Sequence, residues 1–399
     1  MTAGAGEEDP PSFHVASPER IVRGDVTDVY FLRGRAALES EGENPVVSAE
    51  IRAASLPGRL PWGIFAGFDE AVALLHGREV TVEALPEGSV FYPEDPVLTV
   101  TGRYLEFGVL ETALLGVLCQ ASGIATRASR CVLAADGRPV YSFGARRMHP
   151  AISPMIERAA FVGGCAGVST VTGGELLGLE PTGTMAHATI LILGEERAWR
   201  AFDATADPHV ARVALVDTFR DERFGAIAAA KVLGDRLTGV RLDTPSSRRG
   251  DFGAILREVR WELDARGFDG VKIFVSGGLD EETIPQLNAF ADAYGVGTWI
   301  AGSPVIDFSL DIVEVEGVAR SKRGKLSGRK QLWRCPECGS HGVAPRGAPV
   351  AMCPTCASDV ATPVRTWVEG GALVQALPPP ADVRALALRE AVTASGSLG

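Results

Sequence analysis

A chain of 399 residues is too long for one ordinary domain and predicts two or three. Its hydrophobic fraction of 46% and charged fraction of 22% are those of a soluble globular protein, and its 46 glycines and 25 prolines predict many turns, as in β-rich or α/β-barrel folds. A formal net charge of −11 argues against a general nucleic-acid binder, and no apolar run reads as the eighteen or so residues of a membrane span.

The N-terminal MTAGAGEEDPPS is acidic and lacks an apolar signal core, so residues 1–15 read as a disordered tail of a cytoplasmic protein. Residues 20–105 are β-rich. PVVSAEIRA alternates, and EVTVEALPEGSVFYPEDPVLTVTG reads as short strands separated by Pro-Glu-Gly and Pro-Glu-Asp turns. LEFGVLETALLGVLCQASGIATRASRCVLAA then carries apolar residues at three- and four-residue spacing and predicts helix. From about 139 to 305, the strands VALVD, TGVRLD, GVKIFVSGG and YGVGT alternate with helices such as DERFGAIAAAKVLG. They end at Asp217, Asp243, Ser276 and Gly297, with gaps of 26, 33 and 21 residues, close to one β/α unit. That rhythm belongs to a β/α barrel or an open parallel sheet. In a barrel, strand C-termini form the active-site face. Fewer than eight clear units are visible, so a regular barrel does not follow. VIDFSLDIVEVEGVARSKRGK returns to strand-like alternation and is expected to join the N-terminal sheet. A cysteine cluster, a proline-rich stretch and a short helix, ADVRALALREAV, close the chain.

Several motifs carry chemistry. CPECGSHGVAPRGAPVAMCPTC sets two CxxC pairs, Cys335/Cys338 and Cys353/Cys356, on either side of a 14-residue loop. Four thiolates in this pattern suit a closed, structural tetrahedral zinc site. Two redox disulfides are the alternative, disfavoured in a cytosolic chain. Cys119, Cys131 and Cys165 read as core residues. VSGGLDEE and YGVGTW place Ser276, Gly277, Gly278, Gly297 and Thr298 at neighbouring strand ends, where backbone N–H groups can hold a phosphate. In SFGARRMHP, Arg146 and Arg147 suit an anion and Phe143 a planar ring; a solvated pair beside a core phenylalanine is the plain alternative. RSKRGKLSGRKQLWR holds seven basic residues and no acidic one, which suggests a local anion site or an exposed lid, less readily a nucleic-acid patch. In PTGTMAH, His187 sits between a tight turn and the apolar ATILIL; local sequence leaves open whether it is structural or reactive.

The stretches GDVTDVYFLR, ETALLGVLCQASGIAT, SFGARRMHP, AFVGGCAGVSTV, PTGTMAHA, VALVDTF, GVRLDTP, KIFVSGGLDE, YGVGTWI and DIVEVEGVARSKRGK occur in this order over roughly residues 20–330. Together they resemble the nicotinate phosphoribosyltransferase family, of the shorter type found in archaea and some bacteria. The cysteine ribbon resembles an appendage of that subgroup. The resemblance implies an α/β fold: an N-terminal α/β sandwich over 16–125 completed by 306–330, an irregular β/α barrel over 126–305, and a zinc-binding module with C-terminal tail over 331–399. It implies an ATP-coupled, ligase-type transfer of phosphoribosyl from phosphoribosyl pyrophosphate to nicotinate, giving nicotinate mononucleotide for NAD salvage. ATP is then a co-substrate, Mg²⁺ attends the pyrophosphate, and zinc is structural.

The resemblance also implies roles. His187 is phosphorylated by ATP. Phe143 stacks on the pyridine, and Tyr30 with Asp28 closes the other face from a neighbouring subunit, making a homodimer, or a larger assembly of dimers, obligatory. Arg146 binds substrate anion, Arg241 and Asp243 hold the phosphoribosyl group, and Gly277, Gly278 and Gly297 line the 5′-phosphate site. Asp217 orients the ribose or a metal-bound water. Ser169 and Thr170 stand where relatives using nicotinamide are expected to carry an acid, so their donors are expected to favour nicotinate. The rivals are a quinolinate or nicotinamide phosphoribosyltransferase and, from another class, a zinc-ribbon regulatory protein on a degenerate barrel.

Overall fold

The computed structural model describes residues 12–396. The expected tail over 1–15 therefore falls mostly outside the described residues. Residues 12–17 form no helix or strand, and the Phe13 ring lies edge-on to His149 with centroids 6.0 Å apart.

The alternating N-terminal stretches assemble a seven-stranded sheet. At its centre Val46–Ala53 pairs antiparallel with Leu98–Arg103 on one side and Phe308–Val315 on the other. Val80–Ala84 follows beyond Leu98–Arg103. Buried side chains of Val47, Ala49 and Ile51 pack with helix Phe68–Leu75 and with Leu114 and Leu118 of helix Glu111–Ala134. This long helix serves two cores. Ala113, Leu114 and Leu118 face the sheet, whereas Ile124, Ala125, Ala128 and Cys131 belong to the barrel core. A domain boundary at 125/126 thus falls inside one continuous helix. The helical run Tyr104–Ala134, 31 residues with a mean hydropathy of 1.5 over its most apolar window, is long and apolar enough to cross a membrane, contrary to the sequence expectation. Of that window 61% is buried inside the protein, so its apolarity is used by the two cores.

The barrel wall is five parallel strands in the order Val140–Ser142, Ala293–Val296, Lys272–Ser276, Gly239–Leu242, Val213–Leu215. The wall continues beyond Val140–Ser142 without regular strands. Tyr141 makes a parallel bridge to Gly167, and the Thr182 N–H donates to the Val168 carbonyl at 2.6 Å. This is the physical form of the irregularity expected from the missing units.

The C-terminal region is not a separate module and tail. Strand Arg365–Glu369 enters the seven-stranded sheet beside Val80–Ala84. Trp367, 2% exposed, donates its Nε1–H to the Ala84 carbonyl at 3.2 Å. Helix Pro380–Gly396 then returns to the barrel, where Val383, Ala387, Ala391 and Ala394 form one buried stripe in its core. Between them, Lys330–Arg334 and His341–Pro345 form the ribbon hairpin.

The basic stretch 320–334 is also reassigned. Lys322 and Lys325 each pair with Asp311 at 2.7 Å, Lys330 with Glu50 at 2.8 Å, Arg334 with Glu390 at 2.9 Å, and Arg329 with Glu83. Five of the seven cations therefore neutralise acids of the fold itself, and Asp311 and Glu50 are buried to 2% and 0% side-chain exposure. A buried carboxylate requires such a partner, so the stretch is a strap over the sheet rather than an open anion site.

Candidate active site

The C-terminal ends of the parallel strands surround one cavity of about 1140 Å³. Its wall brings together Phe143, Arg146, Ser169, Thr170, His187, Arg241, Asp243, Ser276, Gly277, Gly278, Gly297 and Thr298. A second cavity of about 600 Å³ opens at the other end of the strands. There Arg138 and Arg260 donate to backbone carbonyls and Lys272 pairs with Asp292, so its cations are already spent.

Arg241 organises the polar wall. Its Nε donates to Ser276 Oγ at 2.9 Å, one terminal nitrogen to Thr184 Oγ1 at 3.2 Å and the other to Asp243 Oδ2 at 3.0 Å. Ser276 Oγ in turn donates to Asp243 Oδ1 at 2.9 Å. The Asp243 carboxylate is thus held by both oxygens. His187 opens helix His187–Leu193, with Nε2 3.6 Å from Asp243 Oδ2 and Nδ1 3.0 Å from Thr218 Oγ1. Asp217 does not line the cavity. It accepts the Asp243 N–H at 2.6 Å, which fixes the backbone that carries Asp243. Burial, with the Asp243 charge adding, raises the Asp217 pKa above the usual carboxylate value. Its Oδ1 is buried without a hydrogen-bond partner among the described residues.

Phe143 lies at the aromatic floor. Its ring is 5.7 Å from that of Phe274, at 29° between planes. Gly295, inside a strand, makes this possible: a Cβ there would stand 2.5 Å from the Phe143 ring. Gly277 and Gly278 both adopt left-handed backbone, φ +83 and +59, and a Cβ on Gly277 would meet Asp243 Oδ1 at 2.7 Å. Arg249 braces this turn from behind by donating to the carbonyls of Thr244, Ser276 and Gly277. Its burial lowers its pKa from the ordinary guanidinium value.

Ser169 and Thr170 differ from the expectation. The Ser169 N–H and hydroxyl both donate to Glu157 Oε1 at 2.7 Å, and the Thr170 hydroxyl donates to Glu157 Oε2. Glu157 is fully buried. The hydroxyl protons are therefore spent on a protein carboxylate and are not available for a substrate carboxylate. An aspartate at 169 would face Glu157 and disturb the fold rather than test acceptor choice.

Asp28 and Tyr30 stand apart from this cavity. Asp28 exchanges hydrogen bonds with Thr112, and Tyr30, on helix Val29–Ser40, is 59% exposed. Thr184, Thr218, Gly295, Arg127 and Trp299 also belong to the site's surroundings but were not singled out by sequence. Only Gly295 carried a local signal, as a glycine inside a strand.

In the ribbon, the four sulfurs of Cys335, Cys338, Cys353 and Cys356 lie within 4.8 Å of one another. The Cys335–Cys356 and Cys338–Cys353 pairs stand 3.5 Å apart, close to the roughly 3.8 Å edge of a tetrahedral zinc–thiolate shell and well beyond the about 2.05 Å of a disulfide. Both knuckles turn through left-handed backbone, at Gly339 (φ +72) and Ala357 (φ +60). The donor set fits one metal ion. His341 is not part of it, because its ring stacks on Tyr92 at 3.5 Å. One zinc per chain is expected by elemental analysis, and Cys335→Ser should lose it. The mutant should also melt at least about 5 °C lower, since the ribbon anchors the Arg334–Glu390 pair. Metal-free protein with an unchanged melting temperature would refute this.

The N-terminal domain of the family described as quinolinate phosphoribosyl transferase matches residues 28–122, and its C-terminal domain matches residues 124–311. A nicotinate phosphoribosyltransferase of Mycobacterium tuberculosis is 36% identical over 292 residues, 69% of this chain and 61% of the relative, so this chain spans under two thirds of that relative's length. A second nicotinate phosphoribosyltransferase of that organism is 32% identical over 356 residues, 78% of each chain. The crystal structure of a nicotinate-nucleotide pyrophosphorylase from Pyrococcus furiosus superposes with a TM-score of 0.94 at 50% identity, covering 96% of this chain and 99% of that one. Human nicotinic acid phosphoribosyltransferase shares the fold, with a TM-score of 0.75 at 22% identity over 92% of this chain and 94% of that one. With the ordered strand-end residues gathered on one rim and relatives of this identity and coverage, the chain belongs to the nicotinate phosphoribosyltransferase family, on the type II phosphoribosyltransferase fold.

Proposed function

We propose that this chain transfers phosphoribosyl from phosphoribosyl pyrophosphate to nicotinate in the cytoplasm, giving nicotinate mononucleotide and pyrophosphate, with ATP consumed through His187. One observation carries the reading: an aromatic floor, a braced carboxylate, two glycine turns and a histidine share one cavity. A pyridine lying on Phe143 presents its ring nitrogen along the floor toward the ribose. The nitrogen lone pair forms the bond to C1 as the C1–O bond to pyrophosphate breaks, and the leaving group keeps the bonding pair. Little covalent work is asked of the protein, so positioning, charge and water exclusion dominate. Asp243, fixed by Arg241 and Ser276, is placed to accept from ribose hydroxyls. N–H groups of the Gly277–Gly278 and Gly297–Thr298 turns suit the 5′-phosphate. Arg146 and Arg147, exposed at the cavity without an ion-pair partner among the described residues, suit the nicotinate carboxylate. Magnesium, when bound, neutralises charge growing on pyrophosphate. The Asp243 carboxylate, which lines the cavity, is the group that fits it or its water, with Asp217 fixing the backbone behind it.

The shared site is part of the same reading. Helix Val29–Ser40 buries none of its residues and exposes Val29, Tyr30 and Leu32 to 55, 59 and 48%. Beside His187, Leu191 and Ile192 are 62 and 79% exposed. Two apolar surfaces, one carrying Tyr30 and one flanking the cavity, suit a homodimer in which each copy closes the other's site. A mixture of Tyr30→Ala and His187→Ala chains should then regain activity after subunit exchange, since one hybrid site carries neither lesion. Exchange demonstrated without regained activity counts against a shared site.

Quinolinate is the second reading, favoured by the matched family description and by the adjacent cations Arg146 and Arg147. Purified protein with phosphoribosyl pyrophosphate and either acid, with and without ATP, separates the two. Mononucleotide from nicotinate, stimulated by ATP, supports the proposal. Carbon dioxide release from quinolinate without ATP replaces it.

A further inference from the structure

We infer that Arg127 supplies the cation of the phosphate end of this cavity and clamps its two glycine turns together. The inference rests on the phosphoribosyl reading above. Arg127 projects from helix Glu111–Ala134 and lines the cavity with a side chain only 17% exposed. Its guanidinium carbon lies 3.9 Å from the centre of the Trp299 ring, and one terminal nitrogen lies 3.6 Å from Glu281 Oε2. Trp299 directly follows the Gly297–Thr298 turn, and Glu281 follows the Gly277–Gly278 turn by three residues. Strands Lys272–Ser276 and Ala293–Val296 are parallel neighbours, so these turns lie side by side. One side chain therefore reaches the residue beyond each turn. Glu281 completes the link by accepting from Trp299 Nε1 and from Arg130 Nε, the latter at 3.2 Å.

The donor count shows what is missing. Arg241 directs three of its five N–H groups at Ser276, Thr184 and Asp243, and Arg249, which does not line the cavity, directs three of its five at carbonyls. The Arg127 side chain has no hydrogen bond to any described residue; its one ion pair, at 3.6 Å, is beyond hydrogen-bond length. Stacking on Trp299 uses the face of the guanidinium and leaves its in-plane N–H groups unspent. A largely buried guanidinium in that state calls for an anion with several acceptor oxygens. Charge agrees. Glu281 is shared by Arg127 and Arg130, which leaves one positive charge over. The nearby Asp280 is turned into its own loop, accepting from the N–H groups of Glu282 and Thr283 and from the Thr283 hydroxyl. The fitting ligand group is a phosphate monoester, here the 5′-phosphate of the ribose.

Ribose 5-phosphate, which lacks both pyrophosphate and pyridine, is the probe. Its inhibition constant against phosphoribosyl pyrophosphate should rise about ten- to a hundredfold in Arg127→Ala, the loss expected for a charged hydrogen-bonded contact. The KM for phosphoribosyl pyrophosphate should rise with it, while the KM for nicotinate stays within about twofold. Arg127→Lys keeps the charge without the fork and should recover part of the affinity; it also serves if the alanine variant folds poorly. An unchanged inhibition constant in both variants overturns the inference. So does an equal loss in both that moves the nicotinate KM in parallel, which would mark Arg127 as a brace only. If wild-type protein binds no ribose 5-phosphate, the phosphoribosyl reading itself fails.

Discussion

Incubation with γ-labelled ATP should place acid-labile, base-stable phosphate on this protein, and His187→Ala should remove the label and the ATP turnover together. The imidazole is 41% exposed to the cavity, so it is reachable by a nucleotide. Thr218 holds its Nδ1 at 3.0 Å, which fixes the plane of the ring. Asp243, 3.6 Å from Nε2, is placed to stabilise positive charge on the ring if a nitrogen–phosphorus bond forms and ADP leaves with the bonding pair, as proposed. A neutral imidazole is nucleophilic at physiological pH, and its phosphoramidate is labile. Mononucleotide synthesis should persist weakly in the mutant, because Phe143, Arg241 and Asp243 remain. ATP stimulation should disappear entirely. Label that survives in His187→Ala refutes the assignment.

Truncation after residue 379 should leave no cooperatively folded protein, although none of the described residues it removes lines the cavity. Helix Pro380–Gly396 is core material. Val383, Ala387 and Ala391 are at most 1% exposed. Arg384 donates to the carbonyls of Cys165 and Gly164 at 2.9 Å each, and Glu390 accepts from the Val90 N–H at 2.8 Å and from Arg334 at 2.9 Å. Loss of that apolar burial, with several buried polar groups left unpaired, costs on the order of 10 kcal/mol. That is comparable to the whole stability of a typical domain. Thermal unfolding followed by circular dichroism should show no sharp transition for residues 1–379. A cooperative melt within about 5 °C of the full chain would show that the helix is dispensable.

The contrast between a legible site and an illegible scaffold has a physical origin. The paired CxxC knuckles, the Gly277–Gly278 turn and the polar residues ending each barrel strand are local features. Their chemistry depends on neighbours a few residues away, so spacing alone reveals them, and the ordered motifs indicated the family. What the tertiary structure decided rests on partners far apart in the chain. Lys330 meets Glu50 across 280 residues, which turns an apparent anion site into a strap. Trp367 meets Ala84 across 283, which draws an apparent tail into the central sheet. Ser169 looked free to choose between acid and amide until folding set Glu157 against it. Arg127 looked like one more arginine on an amphipathic helix until the barrel closed two loops over it. Burial and charge pairing are properties of the assembled surface. A sequence specifies which groups seek partners, and only the packed structure shows which of them remain unsatisfied.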